Sequence, residues 1–130
     1  MAILFDCHSM PRDALISTGG PWGRRPNIVL GDRFGAACDR WLVDAATEIF
    51  TAAGFVVARN APFAGGYITQ TYGRPTQGTQ ALQIEIDRGI YMDETRVTRG
   101  PNFEEVRAKI TEAIASLAAL GPAARQVAAE

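Results

Sequence analysis

The chain has 130 residues, of which 47% are hydrophobic, and its 13 basic and 14 acidic residues leave a formal net charge of -1. These values predict one globular domain, and the absence of a basic stripe argues against nucleic acid as a partner. The apolar runs are too short to span a bilayer and the N-terminus lacks the pattern of a signal peptide, so we expect a cytoplasmic protein without membrane contact.

The chain opens on a strand-like segment. Residues 2–7, AILFDC, predict a short buried strand, and the proline-containing SMPRD indicates a turn that leaves His8 at the strand's exit. Because this apolar segment follows Met1 without a lead-in, we expect that position 1 is not the natural start of the fold. Residues 11–26 hold three prolines and three glycines and predict an irregular loop, after which NIVLGD at 27–32 predicts a second strand.

A β-α-β unit is predicted next. Apolar residues recur near helical spacing from about Ala36 to Ala53, and Gly54 supplies a C-terminal stop. FVVAR at 55–59 predicts the strand that follows. Residues 60–80 are rich in glycine and show neither a helical nor a strand period, which predicts a long loop that is either functional or disordered.

The last predicted elements are one strand and one helix. In ALQIEID, residues 81–87, apolar and polar side chains alternate, so Glu85 shares a face with Gln83 and Asp87. Asn102 predicts a helix N-cap with Glu105 as its capping-box partner. The predicted apolar stripe of this helix consists of Val106, Ile110, Ile114 and Leu117. Residues 121–130 are expected to fray.

Strands alternating with helices predict an α/β protein, in which ligands collect beyond the carboxyl ends of the strands. His8, the only histidine, lies at one such end. Asp6 shares its strand face and could orient the imidazole, bind a metal or serve as an ordinary hydrogen-bonded acid. Cys7 points the other way and is expected to be a small buried residue. With Cys38 it makes only two thiols, which are expected to stay reduced.

Four blocks of sequence carry a resemblance to a known family. FDCHSMPR, NIVLGDRFG, NAPFAGGYITQTYGRP and ALQIEIDRGIYMDE, in this order, resemble the C-terminal half of the N-formylglutamate amidohydrolases. Those are zinc enzymes with a fold similar to the zinc carboxypeptidases. The resemblance implies a partial three-layer αβα sandwich with a mixed sheet. It also implies hydrolysis of N-formyl-L-glutamate, a small acidic N-acyl amino acid, to formate and glutamate in histidine breakdown.

The resemblance also implies roles for single residues. His8 is similar to the family's third zinc ligand, and Glu85 to the carboxylate that activates the hydrolytic water. Such a site needs three protein ligands and one open position. The candidates to hold the substrate are Arg33, Asn60, Arg74 and Arg88, together with the loop that contains Gly65, Gly66 and Tyr67.

The first two zinc ligands of the family come from an N-terminal half that has no counterpart in this sequence. We therefore expect an incomplete zinc site, and a truncated module that binds a small acidic ligand or a partner chain is the alternative to an enzyme. An uncovered sheet edge would favour self-association or pairing with an N-terminal half. From the residues alone, His8 could also be a backbone-satisfied histidine and Glu85 a solvated side chain.

Overall fold

The computed structural model describes residues 1–16 and 24–121. Its six strands and three α-helices are β1 (Ala2–Met10), β2 (Ile28–Gly31), α1 (Arg40–Ala52), β3 (Val57–Arg59), α2 (Tyr67–Tyr72), β4 (Thr79–Asp87), β5 (Met92–Asp93), β6 (Thr98–Arg99) and α3 (Phe103–Ala118). Short 3-10 helices lie at Arg12–Leu15, Pro75–Gln77 and Arg88–Ile90.

Four of the strands form one mixed sheet in the order β1-β4-β2-β3. β1 runs parallel to β4, β2 runs parallel to β3, and β2 runs antiparallel to β4. The α/β class predicted from the sequence is confirmed, as are the mixed sheet implied by the family resemblance and the β2-α1-β3 crossover.

One face of this sheet carries the main core. Both long helices pack there, since apolar side chains of α1 and α3 meet the apolar side chains of β2 and β4. The fully buried members include Phe50, Leu42, Ile28, Leu30, Leu82 and Ile84. Cys38 also lies in this core, and its burial raises the pKa of its thiol to about 12.

The opposite face is polar at its centre. Gln83, Glu85 and Asp87 point to that side of β4 and are all buried. Met10, Leu15 and Val29 form a smaller apolar cluster there. Within the described residues, the only helical cover on this face comes from short segments, α2 and the 3-10 helix at Arg12–Leu15.

β1 is longer than predicted. It extends through Met10, so His8 lies within the strand and not at its exit. The reason is tertiary, because β1 pairs with β4 over its whole length, from Ala2 opposite Thr79 to Met10 opposite Asp87. The predicted turn therefore begins only at Pro11.

The segment 60–80 is not a plain loop, and the strand at 81–87 is not the last one. The segment contains α2, which ends where the backbone of Gly73 closely approaches Ala37. A short hairpin, β5-β6, follows β4. Both elements are short, and such elements depend on packing contacts that a sequence period does not reveal.

α3 departs from the prediction in two details. Asn102 stands at the N-cap position but its side chain makes no capping hydrogen bond, and Glu105 bonds to Lys109 instead. Ile114 is exposed, whereas Ala113 is buried, because the buried stripe passes one residue earlier on the helix. The predicted fraying of the tail concerns residues that, except for Gly121, lie outside the described ones.

The described residues contain no helix that is both long and apolar enough to cross a membrane. Arg24 and Arg25, which precede β2, are exposed.

Candidate active site

The candidate site is centred on the polar face of β1 and β4. Parallel pairing sets His8 beside Glu85 and Asp6 beside Gln83. The carboxylate Oδ1 of Asp6 lies 2.9 Å from Nε2 of His8, which confirms that the two side chains share a face. His8 is half exposed, so its ring remains accessible.

Glu85 is held by a buried hydrogen-bond relay. Its Oε1 accepts a hydrogen bond of 3.0 Å from Nε2 of Gln83, and Oε1 of Gln83 accepts one of 2.8 Å from the backbone N–H of Gly66. Oε2 of Glu85 receives no hydrogen bond from the described residues. One carboxylate oxygen of Glu85 is thus held in place by Gln83.

Burial raises the pKa of the Glu85 carboxyl above its ordinary value of 4.5. The imidazole of His8 and the guanidinium of Arg88 oppose this rise, while the negative charge of Asp6 adds to it. A carboxylate with a raised pKa is a better proton acceptor than an exposed one.

Arg88 follows β4 directly and lies at the carboxyl end of β1. Its Nε donates to the hydroxyl of Ser9 and its Nη2 to the Ser9 carbonyl, at 3.1 and 3.2 Å. The guanidinium of Arg88 is therefore partly engaged by Ser9, whose side chain alternates with that of His8 along β1 and points to the opposite face.

Arg33 lies in the loop after β2, and Asn60 directly follows β3 and reaches that loop through hydrogen bonds. Arg33 has a positive φ of 54°, donates its N–H to the Ala64 carbonyl, and lies against Gly65. Asn60, with a φ of 60°, accepts from the N–H of Asp32 and donates to its carboxylate at 2.6 Å. Arg33 therefore lies by the site, whereas the side chain of Asn60 is used to shape the loop.

Gly65, Gly66 and Tyr67 lead into α2 on the same side of the sheet. Gly65 has a φ of 119°, which favours glycine, and Gly66 touches Gln83 as described above. Tyr67 is 73% exposed. Arg74 lies at the other end of α2, where its guanidinium bonds to the carbonyls of Gln70 and Gly73, so it is not gathered into the site.

Cys7 is not the buried residue expected from the sequence. It is exposed, because the face of the edge strand β1 on which it lies is only partly covered at this point. Partial burial and the nearby charge of Asp6 raise the pKa of its thiol. A protonated thiol that points away from His8 cannot act as a nucleophile here.

Comparison with known proteins identifies the family. A family model described as N-formylglutamate amidohydrolase matches residues 1–92. The chain belongs to the N-formylglutamate amidohydrolase family.

The relatives in this family are much longer than this chain. The N-formylglutamate deformylase of Pseudomonas aeruginosa is 37% identical over 126 residues, which are 92% of this chain and 45% of that protein. The N-formylglutamate deformylase of Pseudomonas putida is 35% identical over 95 residues, 72% of this chain and 34% of that protein. The chain thus spans less than half the length of these relatives.

A solved structure of the same family has a similar fold. The N-formylglutamate amidohydrolase of Ralstonia eutropha JMP134 superimposes with a TM-score of 0.75 at 33% identity. The match covers 89% of this chain and 41% of that one.

A zinc site of the amidohydrolase type needs three protein ligands. Residues 1–16 and 24–121 contain no group of three His, Cys, Asp or Glu side chains that could hold a metal ion. His8 and Asp6 form a pair only.

Two residues of the site were not among the candidates from the sequence. Gln83 supports Glu85, and Ser9 anchors Arg88. The alternation along β4 already placed Gln83 on the face of Glu85, so this signal was present. Nothing in the sequence pattern indicated the contact between Ser9 and Arg88, which joins two distant segments.

Proposed function

We propose that this chain carries the general base and one metal ligand of an amidohydrolase that cleaves N-formyl-L-glutamate to formate and L-glutamate. Its relatives named N-formylglutamate deformylase support this substrate. The reaction would serve histidine breakdown, in the cytoplasm. The observation that carries the proposal is a buried carboxylate, Glu85, held by one oxygen beside the accessible ring of His8.

Zinc is the metal we propose for His8. A bound zinc ion would polarise the formyl carbonyl as a Lewis acid. The imidazole is a suitable zinc ligand, and Asp6 at 2.9 Å can orient the ring. The remaining ligands would come from outside the described residues, which contain no group of three potential metal ligands.

Glu85 moves the proton in this proposal. Oε2, the oxygen not bonded to Gln83, takes a proton from a water molecule as the water oxygen attacks the formyl carbon. The same carboxyl then returns a proton to the amide nitrogen as the carbon–nitrogen bond breaks. Formate and the free amine of glutamate are the products, and the raised pKa of Glu85 suits both transfers.

The substrate's two carboxylates call for cationic partners. Arg88 is bonded to Ser9, next to His8 in the chain, and Arg33 lies against Gly65, next to Gly66 of the relay. Guanidinium groups match carboxylate geometry, so we assign these two to the substrate. The loop Gly65–Gly66 with Tyr67 would cover it. Arg74 and Asn60 are more remote candidates because their polar groups are occupied within the chain.

A second function is a module that binds a small acidic ligand or a partner chain without turnover. The observation that favours it is that the chain spans 45% of its Pseudomonas aeruginosa relative and lacks a three-group metal cluster among its described residues. β1 is a nine-residue edge strand, and such an edge can pair with another chain or with a second copy.

Reconstitution with an N-terminal portion distinguishes the amidohydrolase from the binding module. The chain is mixed with the portion of the Pseudomonas aeruginosa relative that lies outside the aligned segment, and formate release from N-formyl-L-glutamate is followed. We expect His8→Ala to lose bound zinc and activity together. We expect Glu85→Gln to keep zinc and lose turnover by on the order of 10² to 10⁴.

Glu48→Gln, which alters an exposed carboxylate on α1, is the matched control and should leave both unchanged. Equal turnover with Glu85→Gln would remove Glu85 from the mechanism. If the two parts form no active complex, the binding module becomes the better account of the chain.

A further inference from the structure

Gln83 makes two hydrogen bonds, one with the oxygen and one with the nitrogen of its carboxamide. The N–H of Gly66 can only donate, so it fixes Oε1 of Gln83 toward the loop at 2.8 Å. Nε2 is thereby directed to the carboxylate of Glu85 at 3.0 Å. An ionised carboxylate at this position could not donate to Glu85, and an apolar side chain would break both bonds.

Burial makes this relay rigid. Gln83 is 6% exposed and Glu85 is 9% exposed, so water competes little for either bond. The bond to Glu85 is charge-assisted when that group is ionised, which makes it the stronger of the two.

The loop end of the relay is fixed on both sides of Gly66. Its N–H is bound to Gln83, and its carbonyl accepts a hydrogen bond of 2.9 Å from the hydroxyl of Thr69. Thr69 is fully buried in α2. Any movement of Gly66 must therefore strain Gln83, α2 or both.

We propose that Gln83 is a positioning residue that locks the Glu85 carboxylate to the Gly65–Gly66 loop. The proposal rests on the function proposed above, in which Glu85 is the base and the loop covers the substrate. Closure or displacement of the loop by a ligand then changes the orientation of the base through Gln83. The relay thus makes correct loop placement a condition for correct base placement.

The chain contains a matched control for this relay. Gln80, also on β4, is equally buried and also makes two bonds, accepting from the N–H of Asp39 and donating to its carboxylate. Its partner is the residue before α1 and lies away from Glu85. Gln80→Met therefore removes the same chemistry from the same strand without touching the relay.

Nuclear magnetic resonance of the ¹⁵N-labelled chain tests the coupling without any need for turnover. The Gly66 amide signal and its hydrogen exchange are measured with Glu85 and with Glu85→Gln, in three backgrounds: wild type, Gln83→Met and Gln80→Met. We expect Glu85→Gln to move the Gly66 signal in the wild-type and Gln80→Met backgrounds and not in Gln83→Met. We also expect Gln83→Met to speed exchange at Gly66 on the order of tenfold, as loss of one hydrogen bond implies.

A Gly66 signal that responds to Glu85→Gln equally well after Gln83→Met overturns the proposal. Should Gln83→Met fail to fold, the side-chain NH₂ signal of Gln83 provides the second measurement. It must move together with Gly66 when Glu85 is replaced, and an unmoved pair overturns the proposal as well. Absence of formate release in the reconstituted complex bears on the proposed function alone, because this experiment measures no turnover.

Discussion

At the residue scale, Glu85 has two properties that oppose one another. It is buried, and it must be ionised to accept a proton. Gln83 offsets part of the cost of ionisation by donating to Oε1, and His8 and Arg88 add favourable charge. Burial is nevertheless the largest influence on its pKa, so the ionised carboxylate is stabilised less in the fold than in water.

The raised pKa of Glu85 predicts that this residue makes the free energy of unfolding depend on pH. Because the pKa of Glu85 is higher in the folded chain than its ordinary value of 4.5, the folded state holds the proton more tightly than the unfolded state. The protonated Glu85 carboxyl contributes its full stabilisation below pH 4.5, and this stabilisation is lost as pH rises through the pKa of the folded state. We therefore expect Glu85→Gln to gain stability relative to wild type as pH rises from about 4 to 7, measured by urea denaturation.

Glu105 supplies a control of opposite sign. Its hydrogen bond to Lys109 lowers its pKa in the fold, so Glu105→Gln should lose stability relative to wild type as pH rises. Because Glu105 is fully exposed, this effect should be small. A difference between wild type and Glu85→Gln that stays flat from pH 4 to 7 would contradict the buried-carboxylate interpretation.

At the scale of elements, the end of β2 and the loop before α2 are pressed together. A Cβ on Gly31 would lie 2.6 Å from the backbone carbonyl carbon of Ala64 and from the nitrogen of Gly65. This close approach lets the N–H of Arg33 bond to the Ala64 carbonyl at 2.7 Å. The strand thus sets the position of the loop that touches Gln83.

Gly31→Ala should separate these two segments. Since backbone atoms cannot yield as a flexible side chain can, we expect a loss of about 1–3 kcal/mol in the free energy of unfolding. The measurement is urea denaturation, with Gly66→Ala as the matched control. A Cβ on Gly66 would meet only Oε1 of Gln83, at 3.4 Å, and its φ is not positive, so this variant should change stability by about 0.5 kcal/mol or less. Equal effects of the two substitutions would argue against the close packing of β2 on the loop.

At the scale of the whole molecule, the sheet ends on β1, and the site lies on that edge strand. His8 and Asp6 belong to it, and among the described residues β1 pairs only with β4. A site on an edge strand can be completed by a neighbouring segment that pairs with or packs against that strand. This arrangement agrees with a chain that spans less than half of its relatives.

We accordingly expect the isolated chain to retain far less than one zinc ion per molecule after dialysis. The described residues supply His8 and Asp6 as a pair, and two ligands bind zinc much more weakly than three or four. Elemental analysis of the dialysed protein is the measurement, and the reconstituted complex is the control that should retain zinc. Near-stoichiometric zinc in the isolated chain would require a ligand set that includes residues outside the described ranges.

The sequence alone determined which side chains of the site share a strand face. Because strand side chains alternate with a period of two, ALQIEID had to place Glu85 on one face with Gln83 and apart from the apolar residues. The same rule placed Asp6 beside His8. The glycine after α1 and the apolar spacing before it likewise determined the β-α-β unit, since both signals are local.

Only the tertiary structure decided which of these strands and loops contact one another. The parallel register that sets His8 beside Glu85 joins segments far apart in the chain, and no local period specifies register between two strands. The same holds for Arg88 on Ser9, for Gln83 on Gly66, and for Arg74, which looked like a substrate ligand but bonds to the end of its own helix. Each of these contacts depends on packing between segments that are distant in the chain. The free energy of that packing is distributed over many residues and cannot be deduced from any single segment of the sequence.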